Sequence, residues 1–191
     1  YRIPHPLLDV GHPTTQGPFA MPDYYFELRR QQADAIVRAA SVFDEVAADF
    51  ARLSGRRLER LEAYRVDDAD QVVVGLGSSL GTVKDVVDEL RDGGIRAGAV
   101  KVVSFRPFPH ADLAALLAEV PAVTVLDRAD SPGGCPPLHA ELAAALFGGD
   151  SALTGSVYGL GGRDLHPPDV RTLFAGRAST HIGLRGESCP A

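Results

Sequence analysis

The stretch Val72-Val73-Val74-Gly75-Leu76-Gly77-Ser78-Ser79-Leu80-Gly81-Thr82 passes from a β-branched run through a glycine-spaced bend into a helical pattern, the order in which an open α/β sheet commonly begins. Val72, Val73 and Val74 are apolar at consecutive positions, which suits a strand covered on both faces, as in a parallel sheet. Gly75, Gly77 and Gly81 resemble a dinucleotide fingerprint, in which close glycines let the backbone approach a pyrophosphate resting on the positive end of the next helix. That fingerprint also needs an acidic residue at the tip of the second strand, roughly 20 residues on, to hold a ribose hydroxyl. The next apolar run, Ala99 to Val103, ends instead in Ser104-Phe105-Arg106-Pro107-Phe108-Pro109, and the glycine spacing is the weaker G-x-G-x-x-x-G. Two readings follow. The favoured one is that the glycines serve a tight turn and close helix packing; the alternative is an independent nucleotide- or coenzyme-binding α/β module using the Gly75–Gly81 turn.

Outward from the bend, βα units repeat at the spacing of an open, mainly parallel sheet with helices on both faces. The first strand, Val72 to Leu76, feeds a helix over Ser79–Arg91 with Val83, Val86, Val87 and Leu90 on one face, and Gly93-Gly94 stops it. Ala99–Val103 leads through the double-proline turn into a helix over His110–Ala118. Ala122–Leu126 ends at Asp127-Arg128, a helix spans Leu138–Phe147, a fourth strand is expected near Ser156–Leu160, and a last short helix covers Pro167–Phe174, with proline acceptable in its first turn. Ahead of the sheet, Phe26, Ala33, Ile36, Val37, Ala40, Phe43, Val46, Ala47 and Phe50 recur at three and four, which predicts a long amphipathic helix over Tyr24–Leu53 ended by Gly55. Residues 1–23 carry five prolines and should run extended. The expected organisation is an arm over 1–23, a long helix and connection over 24–66, an α/β domain over 67–175 and a loose tail over 176–191.

Composition bounds the function classes. With 45% hydrophobic and 23% charged residues, the 191-residue chain has material for a packed core. A net charge of -6 argues against nucleic-acid binding, which needs clustered cations. The four arginines between Arg52 and Arg60 are interleaved with Leu53, Leu58 and Glu59 and suit a helix end. No run approaches the roughly 18 apolar residues of a membrane helix, and no signal-like pattern opens the chain, so a cytoplasmic protein is expected. Cys135 and Cys189 lie far apart without metal-ligand spacing. Because the first residue is Tyr1, the chain is read as a piece of a longer polypeptide.

Five motifs carry a resemblance when taken in order: Pro18-Phe19-Ala20-Met21-Pro22-Asp23-Tyr24-Tyr25-Phe26-Glu27-Leu28-Arg29-Arg30-Gln31-Gln32, Gly77 through Leu90, Phe105-Arg106-Pro107-Phe108-Pro109, Val125-Leu126-Asp127-Arg128, and Gly159-Leu160-Gly161-Gly162-Arg163-Asp164. This set resembles the alpha subunit, or alpha region, of pyruvate:ferredoxin oxidoreductase and its 2-oxoacid relatives, in their transketolase C-terminal-like domain. The resemblance implies an enzyme that uses thiamine diphosphate to decarboxylate a 2-oxoacid, pyruvate first among them. Such an enzyme passes electrons through iron-sulfur clusters to ferredoxin and the acyl group to coenzyme A. It also implies that this segment is a non-catalytic structural and assembly domain, with thiamine diphosphate, magnesium, the clusters and coenzyme A held in the complete enzyme by other domains or subunits. No catalytic, cofactor-binding or metal-ligating residue is therefore assigned here. Partner domains or subunits and an oligomer are expected, the arm and long helix offering surface that a lone domain cannot cover.

Within the segment, Gly77, Ser78, Arg106, Asp127 and Arg128 are the anion or interface candidates. Arg106 lies at the carboxyl end of a strand, where ligands of open sheets gather, and pairing with an acid such as Asp127 is the expected use. Asp127 and Arg128, at the next strand end, are read as its neighbours in a small ion-pair network. Ser78 should cap the following helix. His139 reads as a structural histidine, and His5, His12, His110, His166 and His181 lack metal-ligand spacing.

Overall fold

The computed structural model describes residues 9–14, 17, 19–176 and 180–185. They divide between Val42 and Phe43 into two units. Of the arm expected over 1–23, residues 9–14, 17 and 19–23 are described, and its last part, from Pro22, is already helical. Helix α1 (Pro22–Ser54) starts with proline where a missing N–H costs nothing. It stops at Gly55, whose φ of +71° is a conformation that side-chain-bearing residues rarely adopt. In the first unit its turns are laced by pairs such as Arg30 to Asp34 at 3.0 Å. In the second unit Ala47 is buried while Val46 and Leu53 stand exposed.

The second unit is built on a five-stranded sheet. Its elements are β1 (Leu61–Tyr64), β2 (Gln71–Leu76), α2 (Ser79–Asp92), β3 (Ala97–Val102), α3 (His110–Leu117), β4 (Ala122–Asp127), α4 (Pro137–Ala145), β5 (Ala152–Val157), a single 3-10 turn at Leu160–Gly162, and α5 (Pro167–Phe174). The order across the sheet is β1-β3-β2-β4-β5, with β3, β2, β4 and β5 parallel and β1 antiparallel on the edge. Successive strand residues face opposite sides, so the valine run of β2 feeds two cores. Val72 and Val74 join Leu113, Leu117, Leu138 and Leu142 beneath α3 and α4, while Val73 joins Val83, Val86, Val87, Val170 and Leu173 beneath α2 and α5. Each of these leucines and valines is fully or almost fully buried, and burying such a side chain stabilises by about 1.5–3 kcal/mol.

Three expectations are corrected. Leu61–Tyr64, read as connection, forms strand β1, paired from Leu61 opposite Val102 to Tyr64 opposite Ala99; its four residues are too few to show a period. The fourth expected strand, placed near Ser156–Leu160, stands earlier. The ladder to β4 runs from Ala152 opposite Ala122 to Val157 opposite Asp127, the Tyr158 amide still donates to the Asp127 carbonyl at 3.0 Å, and the chain turns at Gly159, with φ +66°. Part of the tail is docked, since Val157 donates to the Thr180 carbonyl at 2.9 Å and accepts from Ile182 at 2.8 Å. The remaining strands and helices lie within two residues of their expected bounds, and Pro167–Phe174 matches. The expectation for Cys189 lies outside the described residues.

Candidate functional site

The carboxyl ends of β2 and β4 are where this sheet can hold a ligand. From β2 the chain moves through α2 to β3 on one side, then returns through α3 to β4 on the other. The two outgoing loops therefore diverge and leave a crevice between neighbouring strands, the topological switch point of an open sheet. The bend after β2 fits this place closely. A Cβ on Gly75 would lie 2.8 Å from Leu80 Cδ2 and 3.3 Å from the Leu126 carbonyl, so Gly75 lets α2 and β4 close on β2. Gly77 has φ +73° and makes the turn. Gly81 meets nothing within 4 Å, so neither demand accounts for it.

Past that turn, Ser78 makes no side-chain cap, contrary to expectation. Its neighbour Ser79 donates its hydroxyl to the Leu76 carbonyl at 3.1 Å and accepts from the buried Tyr158 hydroxyl at 2.7 Å. The first turn of α2 carries no acidic residue. A cavity of about 360 Å³ opens there, lined by Gly77, Ser78 and Thr82 of the β2–α2 segment, Arg128 after β4, and Arg163 and Asp164 after β5. A Cβ at Gly159 would meet Arg128 Nε at 3.2 Å and Cγ at 3.4 Å, so the stem of Arg128 lies along a residue with no side chain. Arg163 donates to the Gly183 carbonyl.

The anion or interface candidates thus separate. Gly77, Ser78 and Arg128 share the cavity, whereas Arg106 and Asp127 serve other contacts. The pair expected between Arg106 and Asp127 is not formed, because β2 stands between β3 and β4 and the two strand ends are not neighbours. Arg106 meets Glu141 of α4 at 2.5 Å, which also holds His110 Nε2 at 3.1 Å, and its guanidinium lies 4.4 Å from the Phe105 ring centroid. Asp127 is 3% exposed and accepts from the amides of Leu138 at 2.7 Å, His139 at 3.3 Å and Ala129 at 3.3 Å. Helix α4 needs that carboxylate. Pro136 and Pro137 open it and carry neither a capping side chain nor an N–H, so the free amides of the first turn turn to a strand end for an acceptor.

A Cβ on Gly155 would come within 2.5 Å of His139 Nδ1, so the ring lies against β5. Among the described residues no group of three or more His, Cys, Asp or Glu could hold a metal ion, and no helix is long and apolar enough to cross a membrane. Sequence reasoning missed Arg163 and Thr82 as cavity residues. The only signal for Arg163 was its place in the motif Gly159–Asp164, since Arg128, which lines the same cavity, follows a different strand.

A larger groove of about 620 Å³ runs at the β1 edge, lined by Ala47, Ala48 and Ala51 of α1 and by Leu58, Arg60 and Asp112 among others. Arg60 spans it to Asp44 at 3.3 Å and Asp112 at 3.4 Å, which ties α1 to α3 within this unit.

Residues 69–170 match the family model described as pyruvate:ferredoxin oxidoreductase core domain II. The chain is 45% identical over 172 residues to pyruvate synthase subunit PorA of Thermotoga maritima, covering 89% of this chain and 44% of that one. It is 38% identical over 170 residues to ketoisovalerate oxidoreductase subunit VorA of Pyrococcus abyssi, covering 87% and 43%. The chain thus spans somewhat under half the length of the curated relatives it matches. Its fold is similar to part of 2-oxoglutarate:ferredoxin oxidoreductase from Magnetococcus marinus, with a TM-score of 0.56 at 19% identity over 84% of this chain and 24% of that one.

Proposed function

The chain belongs to the pyruvate:ferredoxin oxidoreductase core domain II family, and from that premise we propose that it is the structural and assembly domain of a 2-oxoacid:ferredoxin oxidoreductase. The complete enzyme decarboxylates its oxoacid oxidatively on thiamine diphosphate, forms an acyl-CoA and passes electrons to ferredoxin. Pyruvate is the preferred oxoacid in this reading. The observation that carries it is the 45% identity to a pyruvate synthase subunit over 89% of the chain, against 38% to the ketoisovalerate subunit over 87%.

This chain's part is to hold neighbours in place. In support, the conspicuous polar groups at its strand ends are engaged in internal structure: Asp127 on the α4 amides and Arg106 with His110 on Glu141. No step of the reaction is assigned to the described residues in this reading. Thiamine diphosphate, magnesium, the clusters and coenzyme A are held elsewhere in the assembly, which is an oligomer working in the cytoplasm. The expected arm, long helix, α/β domain and tail serve as its connecting parts.

The test is reconstitution. The chain, expressed in continuity with the polypeptide that accompanies it and with its partner subunits, should support pyruvate- and coenzyme A-dependent ferredoxin reduction, while the chain alone should show no turnover. Micromolar binding of thiamine diphosphate to the isolated chain in calorimetry, or oxoacid turnover by it unaided, would overturn the proposal.

A further inference from the structure

We propose, resting on the assembly role, that α1 pairs antiparallel with α1 of a second copy of this chain along a heptad seam. Alternating steps of four and three lead from Met21 through Tyr25, Leu28 and Gln32 to Ala35, and continue through Ala39, Val42, Val46 and Asp49 to Leu53. That is the spacing at which helices wind around one another, and it runs the length of one helix, Pro22–Ser54. Its large apolar members, Met21, Tyr25, Leu28, Val42, Val46 and Leu53, are 41–89% exposed. The stripe that α1 uses within the second unit is a different one: Ala47 is buried and Asp44 pairs with Arg60 at 3.3 Å. With 3.6 residues per turn, Val46, Asp49 and Leu53 stand about 100–160° around the axis from Ala47. The seam is left over once α1 has packed.

The seam specifies its own occupant. Its steps read the same from either end, so two copies turned end for end match at every level. Met21 then meets Leu53 of the other copy, Leu28 meets Val46, and Ala35 meets Ala39 at the centre, where small side chains let the axes approach. Tyr25 comes opposite Asp49, whose carboxylate accepts from a phenol hydroxyl. Gln32 comes opposite Val42, and a polar residue in a seam gives up some stability while fixing register. Arg38 lies beside the centre in both copies, an opposing effect that water screens at this exposed position. A parallel pair would instead set Asp49 against Asp49 inside the seam, a meeting of like charges that costs affinity. It would also bring both sheets to the same end. A helix of 33 residues is about 50 Å long, and a face about 10 Å wide buries about 500 Å² on each copy, or about 1,000 Å² in all. That reaches the size at which an interface is specific, and a two-fold pair is the commonest form of oligomer.

The experiment follows the mass of the full chain by sedimentation equilibrium over about 1–100 μM. The expected result is a reversible shift from 20.2 kDa to twice that mass. Val46→Glu puts a charge in the seam and should weaken association about tenfold or more. Val37→Glu, at the outermost heptad position and 70% exposed, should leave it within about twofold. Disulfide trapping in a Cys135→Ser, Cys189→Ser background reads the orientation. Leu28→Cys and Val46→Cys chains should cross-link when mixed, and neither should cross-link alone, because like positions lie about 27 Å apart along the axis. Association that Val46→Glu leaves unchanged or Val37→Glu removes, or cross-linking of like with like, would overturn the pairing. A chain that stays monomeric would overturn it too, and if Val46→Glu then weakens reconstitution with the partner subunits, the seam belongs to a different polypeptide. Dimerisation is read without turnover, so a monomeric chain leaves the assembly role standing, and failed reconstitution leaves the pairing standing.

Discussion

Replacing Asp127 by alanine removes the acceptor that starts helix α4, and the structure sets the size of the loss. The carboxylate is 3% exposed and accepts from Leu138 at 2.7 Å and His139 at 3.3 Å, with Ala129 at 3.3 Å on its near side. Hydrogen bonds to a charged acceptor are worth about 1.5–3 kcal/mol each, and a buried donor left unmatched costs about 1–3 kcal/mol. The carboxylate's own desolvation offsets part of this, which leaves about 3 kcal/mol lost in Asp127→Ala. Asp127→Asn keeps one acceptor for Leu138 but turns a donor toward other donors, and should lose about 1–2 kcal/mol. Urea unfolding followed by far-ultraviolet ellipticity reads both. With a slope of about 2.5 kcal/mol/M, the alanine midpoint should fall by about 1.2 M. Arg106→Ala is the control: Arg106 is about half exposed and pairs with Glu141, so its loss should stay below about 1 kcal/mol. The reasoning is refuted if Asp127→Ala loses under about 0.5 kcal/mol, or if Arg106→Ala destabilises as much, which would restore the ion-pair network expected between the two strand ends.

Two other perturbations probe the second unit. Gly98→Ala should lower stability by about 2–3 kcal/mol, because its Cβ would lie 2.7 Å from the Arg65 carbonyl oxygen and 3.1 Å from Ala69 Cβ; thermal unfolding within about 1 °C of the parent would contradict this. Glu89 of α2 is held below the usual glutamate range by its hydrogen bond to Arg171 of α5. Since the folded-state value is the lower one, its contribution is present above the unfolded pKa of about 4.3 and is lost as pH falls through the folded value. The stability difference between the parent chain and Glu89→Gln should be constant from neutral pH down to about 5 and vanish on further acidification; a difference that grows on acidification would reverse the assigned sign.

The alternation of strands and helices after residue 70, the long helix ahead of the sheet and the bend after β2 were all legible in the chain itself. Their causes are local: Val72–Val74 has no polar face to offer water, Val83, Val86 and Val87 recur at helical spacing, and Gly77 can adopt the positive φ that the turn demands. The ordered motifs from Pro18 to Asp164 also pointed to the family that the comparison established. Strand β1 was not legible, because Leu61–Tyr64 is a strand only through its ladder to Val102–Ala99. Nor was the beginning of β5, whose ladder to β4 starts at Ala152.

Which charges meet was decided by the tertiary structure alone. Inserting β2 between β3 and β4 separates Arg106 from Asp127, hands Asp127 to the proline-led start of α4 and leaves Glu141 for Arg106. The same order sets Arg128 and Arg163, 35 positions apart in sequence, on one cavity with the start of α2. Periodicity records which way a side chain faces from its own element, whereas the meeting of two strand ends depends on the order of strands across the sheet, to which hydrophobic patterning is blind.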